Sequence, residues 1–315
     1  MPTISVIICT HNPRPAPLRR TLECLRKQTL PFGEWECVLV DNASAEPLAE
    51  EAHLAGLPNG KIVLEPKLGL TPARVRGFKE SSGQLIVYVD DDNVLAPDFL
   101  SRAKAIFDQR PYIGAFGGSI TPVFEQAPPE WTQPYWYLLA VRDTPEDRWG
   151  NTPGHAEAEP CGAGLCVRRE VASRYVQLVE KDPIRALLDR RGDSLASAGD
   201  TDLIHCSFDL GLGVGRFKAL QLDHLIPLGR LEPTYLLRLF EAMHHSGELL
   251  KRVRGRAARE FEREQTLLGR CVQKLRYLRM SSFDRKMADA AKRGTRRALV
   301  DWAKLETDGK INSLR

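Results

Sequence analysis

The chain has 315 residues, 43% of them apolar and 27% charged, with a net charge of +4; this is the profile of a folded globular protein and excludes collagen-like and low-complexity disordered chains. No apolar stretch approaches the roughly 20 residues that span a bilayer, and no basic leader with a cleavage site precedes the first strand pattern, so a cytoplasmic protein is expected. Seven scattered cysteines without a CxxC pair predict reduced thiols, not a disulfide framework or a zinc knuckle.

In chain order, Thr3 to Cys9 reads as a buried strand, and Leu18 to Gln28 places Leu18, Leu22 and Leu25 at helical spacing after a proline-rich turn. Glu36 to Asp41 predicts a second strand, Lys61 to Leu64 a short third, and Leu85 to Asp90 a strong fourth. Between the last two, Thr71 is expected to cap a helix with Pro72 at its first position, ending near Ser82. A further helix is expected to begin near Pro97. Strands alternating with helices imply a mostly parallel sheet covered on both faces. From Tyr112 to Gly162, with Trp131, Trp136 and Trp149 among many prolines, the pattern predicts loops and short strands. Arg216 to Leu222 reads as a strand preceded by a glycine-rich turn at 211–215. Beyond Glu232 the chain reads as helical, with turns near Gly255 and Ser281.

Charge is unevenly distributed. Lys251 to Arg297 holds sixteen Lys/Arg against five Asp/Glu, which leaves the rest of the chain near −7. Residues 1–248 are therefore expected to form an α/β domain and 249–315 a basic helical extension.

Two strands end in aspartate, Asp41 and Asp90, and in doubly wound sheets ligands bind beyond the carboxyl ends of the strands. Asp90, Asp91 and Asp92 follow one another directly after the fourth strand. Adjacent carboxylates repel, so either a divalent cation with phosphate oxygens relieves them, or they form an acidic turn capping the helix near Pro97. Asp41 reads equally as a hydrogen-bond acceptor for a base or ribose and as a helix cap. Gly69 opens the way to a helix N-terminus carrying Arg74 and Arg76, groups that favour phosphate. Asp200 and Asp202 stand at a helix start, where a capping aspartate is the default reading for Asp202; His224 comes further on, and a lone histidine is more often structural than a ligand.

Taken in order, these segments over about Pro2 to Glu241 resemble the inverting glycosyltransferases of family 2, which have the GT-A fold. The resemblance implies that Thr10, His11 and Asn12 open a nucleotide pocket, that Asp41 contacts the nucleoside, and that Gly69, Ala73 and Arg74 line the nucleotide. It assigns Asp90 and Asp91 to the nucleotide sugar and Asp92, with Asp90 and His224, to Mg²⁺ or Mn²⁺. Gly162, Ala163, Gly164 and Asp202 fall beside the acceptor. Asp200 takes the place of the catalytic base, while Gly199 stands where the family has a glutamate and Val75 where it often has asparagine.

The partners this implies are a nucleotide-diphosphate sugar donor and a glycan or lipid-linked acceptor in cell-surface polysaccharide or glycan assembly. The basic stretch Lys251–Arg297 suggests attachment to the anionic inner membrane face or packing in a homodimer. No nucleic-acid motif accompanies it. Two other classes compete: a non-catalytic nucleotide-sugar or glycan-binding protein, favoured by the missing glutamate, and a sugar-nucleotide pyrophosphorylase, disfavoured because Thr10-His11-Asn12-Pro13 is not a glycine-rich loop.

Overall fold

A computed structural model describes residues 2–49, 54–57, 59–154, 157–255, 277 and 279–308. They divide into two compact units, Met1–Glu180 with Asp200–Leu231, and Lys181–Gly199 with Glu232–Arg315.

In the first unit the chain runs β1 (Ile4–Thr10), α1 (Pro15–Arg26), β2 (Trp35–Asp41), β3 (Gly60–Leu64), α2 (Leu70–Glu80), β4 (Leu85–Asp90), β5 (Asn93–Leu95) and α3 (Phe99–Gln109). It continues through β6 (Ile113–Phe124), β7 (Arg148–Gly150), β8 (Leu165–Arg168), α4 (Arg169–Lys181), α5 (Gly199–Asp209) and β9 (Gly213–Ile226). One sheet holds the strands in the order β3-β2-β1-β4-β8-β6-β9-β5, with β7 on the side of β9. The first four are parallel, as alternating strands and helices predict. β8 is antiparallel to both β4 and β6, so the sheet as a whole is mixed.

β1, β2 and β4 are largely apolar runs because both faces of the sheet are covered. Ile4, Val6 and Ile8 join Leu18, Leu22 and Leu25 of α1 and Phe99 and Leu100 of α3 on one face. Ile7, Val38 and Val40 join Ala73 of α2, Tyr175 of α4 and Leu203 of α5 on the other. Each such side chain, fully buried, contributes about 1.5–3 kcal/mol. α1 begins at Pro15, three residues ahead of the expected start, because proline is tolerated in a first helical turn.

Three expectations are corrected. Thr71 does not cap α2: the cap is Gly69, at φ 139° and ψ 148°, while Thr71 is buried inside the first turn near the Tyr175 hydroxyl. The stretch expected to be loops and short strands contains the twelve-residue β6, and the strand expected at 216–222 extends to fourteen residues. The pairing of β6 with β9 shifts register between Gly117 and Ser119. At Gly118 a Cβ would lie 2.0 Å from the Leu220 carbonyl oxygen, so the irregular part of β9 packs directly on bare backbone.

In the second unit α6 (Pro233–Val253) lies along α7 (Ser282–Thr307), joined by His245 to Asp301 at 2.9 Å and Arg293 to Glu241 at 2.8 Å. Ser281 caps α7 by accepting from the Asp284 amide at 3.1 Å, and Gly255 adopts φ 66°, matching the two expected turns. The boundary expected after residue 248 falls within α6. Gly199 has no room for a side chain, since a Cβ there would lie 2.3 Å from the carboxylate of buried Asp189. Among the described residues no helix is long and apolar enough to cross a membrane, and Cys9, Cys24, Cys37, Cys161, Cys166 and Cys206 are free thiols.

Candidate active site

The parallel register sets Thr10 beside Asp41 and Cys9 beside Asp90, so the ends of β1, β2 and β4 converge at one edge of the sheet. From this edge the site is built loop by loop. After β1, the Thr10 hydroxyl donates to Asp91. His11 Nδ1–H donates to the Asn42 carbonyl at 2.8 Å, and Asn12, at φ 46°, accepts from the Ala45 amide at 2.8 Å. The first and second loops are thereby stitched together, with His11 and Asn12 exposed.

After β2, the buried Asp41 carboxylate accepts from the backbone amides of Ser44 and Leu48, both at 3.1 Å, and so holds its own loop in shape. Asn42 does more than the sequence suggests. Its Nδ2 donates to the carbonyls of Glu65 at 3.0 Å and Lys67 at 2.9 Å, while its Oδ1 accepts from the Gly69 amide at 2.8 Å. This clamp sets the start of α2, which carries buried Ala73 and Arg74. The Arg74 guanidinium lies 5.8 Å from the centroid of the Tyr88 ring and acts on the Asp90 carboxylate.

The acidic turn follows β4. It does not cap α3, because β5 intervenes and the helix starts after Asp98. Fully buried Asn93 shapes the turn, accepting from the Asp90 amide at 3.2 Å and donating to Asp92 Oδ1 at 3.1 Å. β5 pairs with β9 so that Asn93 faces His224, which delivers the histidine to the acids. His224 donates from Nδ1 to the Leu139 carbonyl at 2.9 Å. Its Nε2 stands 3.1 Å from Arg230 Nη1 and 3.5 Å from Asp92 Oδ2: on the neutral ring it accepts from Arg230, and on the protonated ring it donates toward Asp92 instead. Arg230 also pairs with Asp92 at 3.1 Å.

The electrostatics separate the three acids. Burial, followed by the charge of Asp92, raises the Asp90 carboxyl. The same two causes push Asp91 up to about 6. Burial also acts on Asp92, but His224 and Arg230 outweigh it and hold that carboxyl below its ordinary value. Among the described residues no three His, Cys, Asp or Glu side chains gather into a metal cage. What the turn offers is the Asp92 carboxylate, held in its ionised form beside an imidazole nitrogen, and two crowded acids. That donor set suits a cation whose remaining shell is phosphate oxygen and water.

On the other side of Arg74, α5 presents the half-buried Asp200. Its Oδ1 accepts from the Thr201 amide at 2.8 Å. Bare Gly162 separates Asp200 from Arg74, since a Cβ there would lie 2.8 Å from Asp200 Oδ2 and 3.4 Å from Arg74 Nη2. The other residues expected near an acceptor are not brought to this surface. Ala163 is buried in the core, Gly164 at φ 65° packs on Leu222 and Phe99, and Asp202 is fully buried.

Three residues of this constellation escaped the sequence reading: Asn42, Asn93 and Arg230. The two asparagines stood in view beside the aspartates, where an Asx side chain after a strand is a signal for loop hydrogen bonding. Arg230 had none, because a turn at 228–231 brings it back to His224. The basic stretch 251–297 lies partly outside the described residues, at 256–276 and 278.

Comparison with known proteins agrees with the family that the resemblance names. An N-acetylglucosaminyltransferase of Sinorhizobium fredii is 32% identical over 124 residues, which cover 38% of this chain and 30% of that protein. The "Uncharacterized glycosyltransferase YwdF" of Bacillus subtilis is 36% identical over 104 residues, covering 33% and 38%. The match thus spans about a third of the length of these relatives. A crystal structure of S. aureus TarS 1-349 aligns with 94% of this chain and 80% of that one, at 15% identity and a TM-score of 0.48. Residues 5–173 match the family described as "Glycosyl transferase family 2". That is more than half of the chain, and the chain belongs to glycosyl transferase family 2.

Proposed function

We propose that the chain is an inverting glycosyltransferase that moves a sugar from a nucleotide-diphosphate donor to an acceptor hydroxyl, with Asp200 as the base. The observation that carries this reading is the convergence at Arg74. Asp200 Oδ2 and Arg74 Nη2 both flank bare Gly162, and Arg74 also acts on Asp90 of the acidic turn.

In this reading the loops after β1 and β2 hold the nucleoside through Thr10, His11, Asn12 and Asp41, and Arg74 and Arg230 bring positive charge to the diphosphate. Asp200 Oδ2 takes the proton from the acceptor hydroxyl as that oxygen attacks the anomeric carbon from the face opposite the diphosphate, so configuration inverts. The amide of Thr201, bonded to Oδ1, keeps the carboxylate oriented. Asp92, with Asp90 and His224, are the residues that would hold Mg²⁺ or Mn²⁺. Bound there, the cation would supply Lewis-acid stabilisation of the departing diphosphate. The printed name of the Sinorhizobium relative favours an N-acetylhexosamine as the sugar transferred, and cell-surface glycan assembly is the setting such transfer suits.

A second reading, a nucleotide-sugar binder without catalysis, draws on the space at Gly199 being taken by Asp189. Against it stands Asp200 itself, a half-buried carboxylate set beside Arg74, which binding alone does not require. Asp200→Asn separates the two. A positioned general base contributes on the order of 10²- to 10⁴-fold, so the variant is expected to keep donor binding and lose transfer by that factor. Turnover within a few-fold of the native chain would remove Asp200 from the role.

A further inference from the structure

We propose that Arg142 and Arg216 form a subsite for a phosphate group on the acceptor, beside Asp200; the proposal deepens the transfer reading of the site and rests on it. The two arginines are brought together by β6. Arg216 stands opposite Gly117 in the parallel β6–β9 pairing. Arg142 bridges Ile120 through paired backbone hydrogen bonds of 2.8 and 3.1 Å. A third arginine, Arg148, faces Arg216 from β7.

Three neighbouring guanidinium groups repel one another unless acids accompany them. Two acids do, Glu146 and Glu157, and both pair with Arg148. Arg142 instead donates from Nη1 to the main-chain carbonyls of Tyr137 at 2.7 Å and Val141 at 2.8 Å. Arg216 donates from Nε to the Glu157 carbonyl at 2.6 Å. These bonds fix the two guanidinium planes and leave Nε and Nη2 of Arg142 and both terminal nitrogens of Arg216 without a protein acceptor among the described residues. Burial, joined by the charges of Arg142 and Arg148, lowers the Arg216 guanidinium below its ordinary value. Excess positive charge is therefore held half-buried at one spot in a chain whose residues outside 251–297 sum to about −7.

That spot adjoins the proposed base. A Cβ on Gly117, the residue opposite Arg216, would lie 3.1 Å from Pro160 Cβ, and two residues further on a Cβ on Gly162 would lie 2.8 Å from Asp200 Oδ2, so the segment 160–162 links the arginines to the base; Arg142, Arg216 and Asp200 all act on the Cys161 thiol between them. The donor diphosphate has its own cations in Arg74 and Arg230, at the acidic turn. A single guanidinium fork matches a planar carboxylate, whereas two separate guanidinium groups can share the oxygens of a tetrahedral oxyanion. Phosphate on the acceptor is the group that fits, whether carried by a lipid or by a soluble sugar.

The test is an anomalous-scattering map from crystals of the full chain soaked in selenate, a tetrahedral oxyanion. The expected result is a peak within hydrogen-bond reach of both guanidinium groups, lost in R142Q/R216Q. No peak between them in native crystals, or one that persists in the double variant, overturns the proposal; the native soak decides alone if the variant fails to fold. Back-soaks then identify the source. Displacement of selenate first by geranyl phosphate assigns a lipid carrier, first by glucose 6-phosphate a soluble sugar phosphate, and displacement by neither contradicts the proposal. Donor hydrolysis by the native chain, measured without acceptor, is independent of these soaks, so its absence counts against transfer and not against the anion site.

Discussion

Asn42 offers the sharpest test of how the fold builds the site. Asn42→Ala removes three hydrogen bonds at once: two to the carbonyls of Glu65 and Lys67 and one from the Gly69 amide. The residue is 4% exposed. The Gly69 amide is buried and cannot easily find water, so its loss costs about 1–3 kcal/mol; the two carbonyls are half-exposed, and each costs about 1 kcal/mol. The total, about 3–5 kcal/mol, should appear in urea unfolding as a fall in midpoint with little change in slope. Gly69 is also the cap of α2, so displacement should carry Arg74 with it and weaken nucleotide-sugar binding more than global destabilisation explains. A loss below 1 kcal/mol, or normal donor binding in the folded variant, would refute the claim that Asn42 sets the helix and its arginine.

Other consequences follow from particular contacts. Gly118→Ala would place a methyl group 2.0 Å from the Leu220 carbonyl oxygen; backbone cannot move aside as a side chain can, so we expect a loss of more than the usual 1–3 kcal/mol of overpacking, read by thermal unfolding or as insoluble expression. The basic stretch 251–297 is proposed to hold the protein at an anionic membrane, with each basic residue near the surface worth about 1 kcal/mol. Flotation with phosphatidylserine liposomes should recover the native chain and lose it when Lys251, Arg252 and Arg254 are changed to glutamine; equal flotation of both would end the membrane reading.

The strands that line the site could be read in the sequence because burial on both faces leaves them almost wholly apolar, with only Ser5 in β1 and Glu36 in β2 interrupting the runs. β1, β2 and β4 are such runs, and each ends where a polar residue meets the open edge of the sheet, at Thr10, Asp41 and Asp90. β6 and β9 were obscured by the same physics in reverse. Gly117, Gly118 and Pro122 break the apolar pattern of β6; at Gly118 the Leu220 and Phe217 carbonyls lie too close for a side chain, and the register slips between Gly117 and Ser119. Thr71 failed as a cap because tertiary contact decided the helix start: Asn42, 27 residues earlier, captures the Gly69 amide. The pairing of Arg230 with Asp92 and His224 also joins segments distant in sequence, and no spacing rule announces it.

The most direct measurement is a thermal-shift screen of UDP-, GDP- and dTDP-sugars with and without Mn²⁺, repeated on Asp92→Ala. A ligand at 100 times its dissociation constant adds about 2.7 kcal/mol of stability, which raises the midpoint of a chain this size by several degrees, roughly 2–4 °C per kcal/mol. The account predicts that one nucleotide stabilises the native chain when Mn²⁺ is present and that Asp92→Ala abolishes the metal-dependent part. A native chain that no nucleotide sugar stabilises under either condition would contradict the assignment of the acidic turn and Arg74 to a donor site.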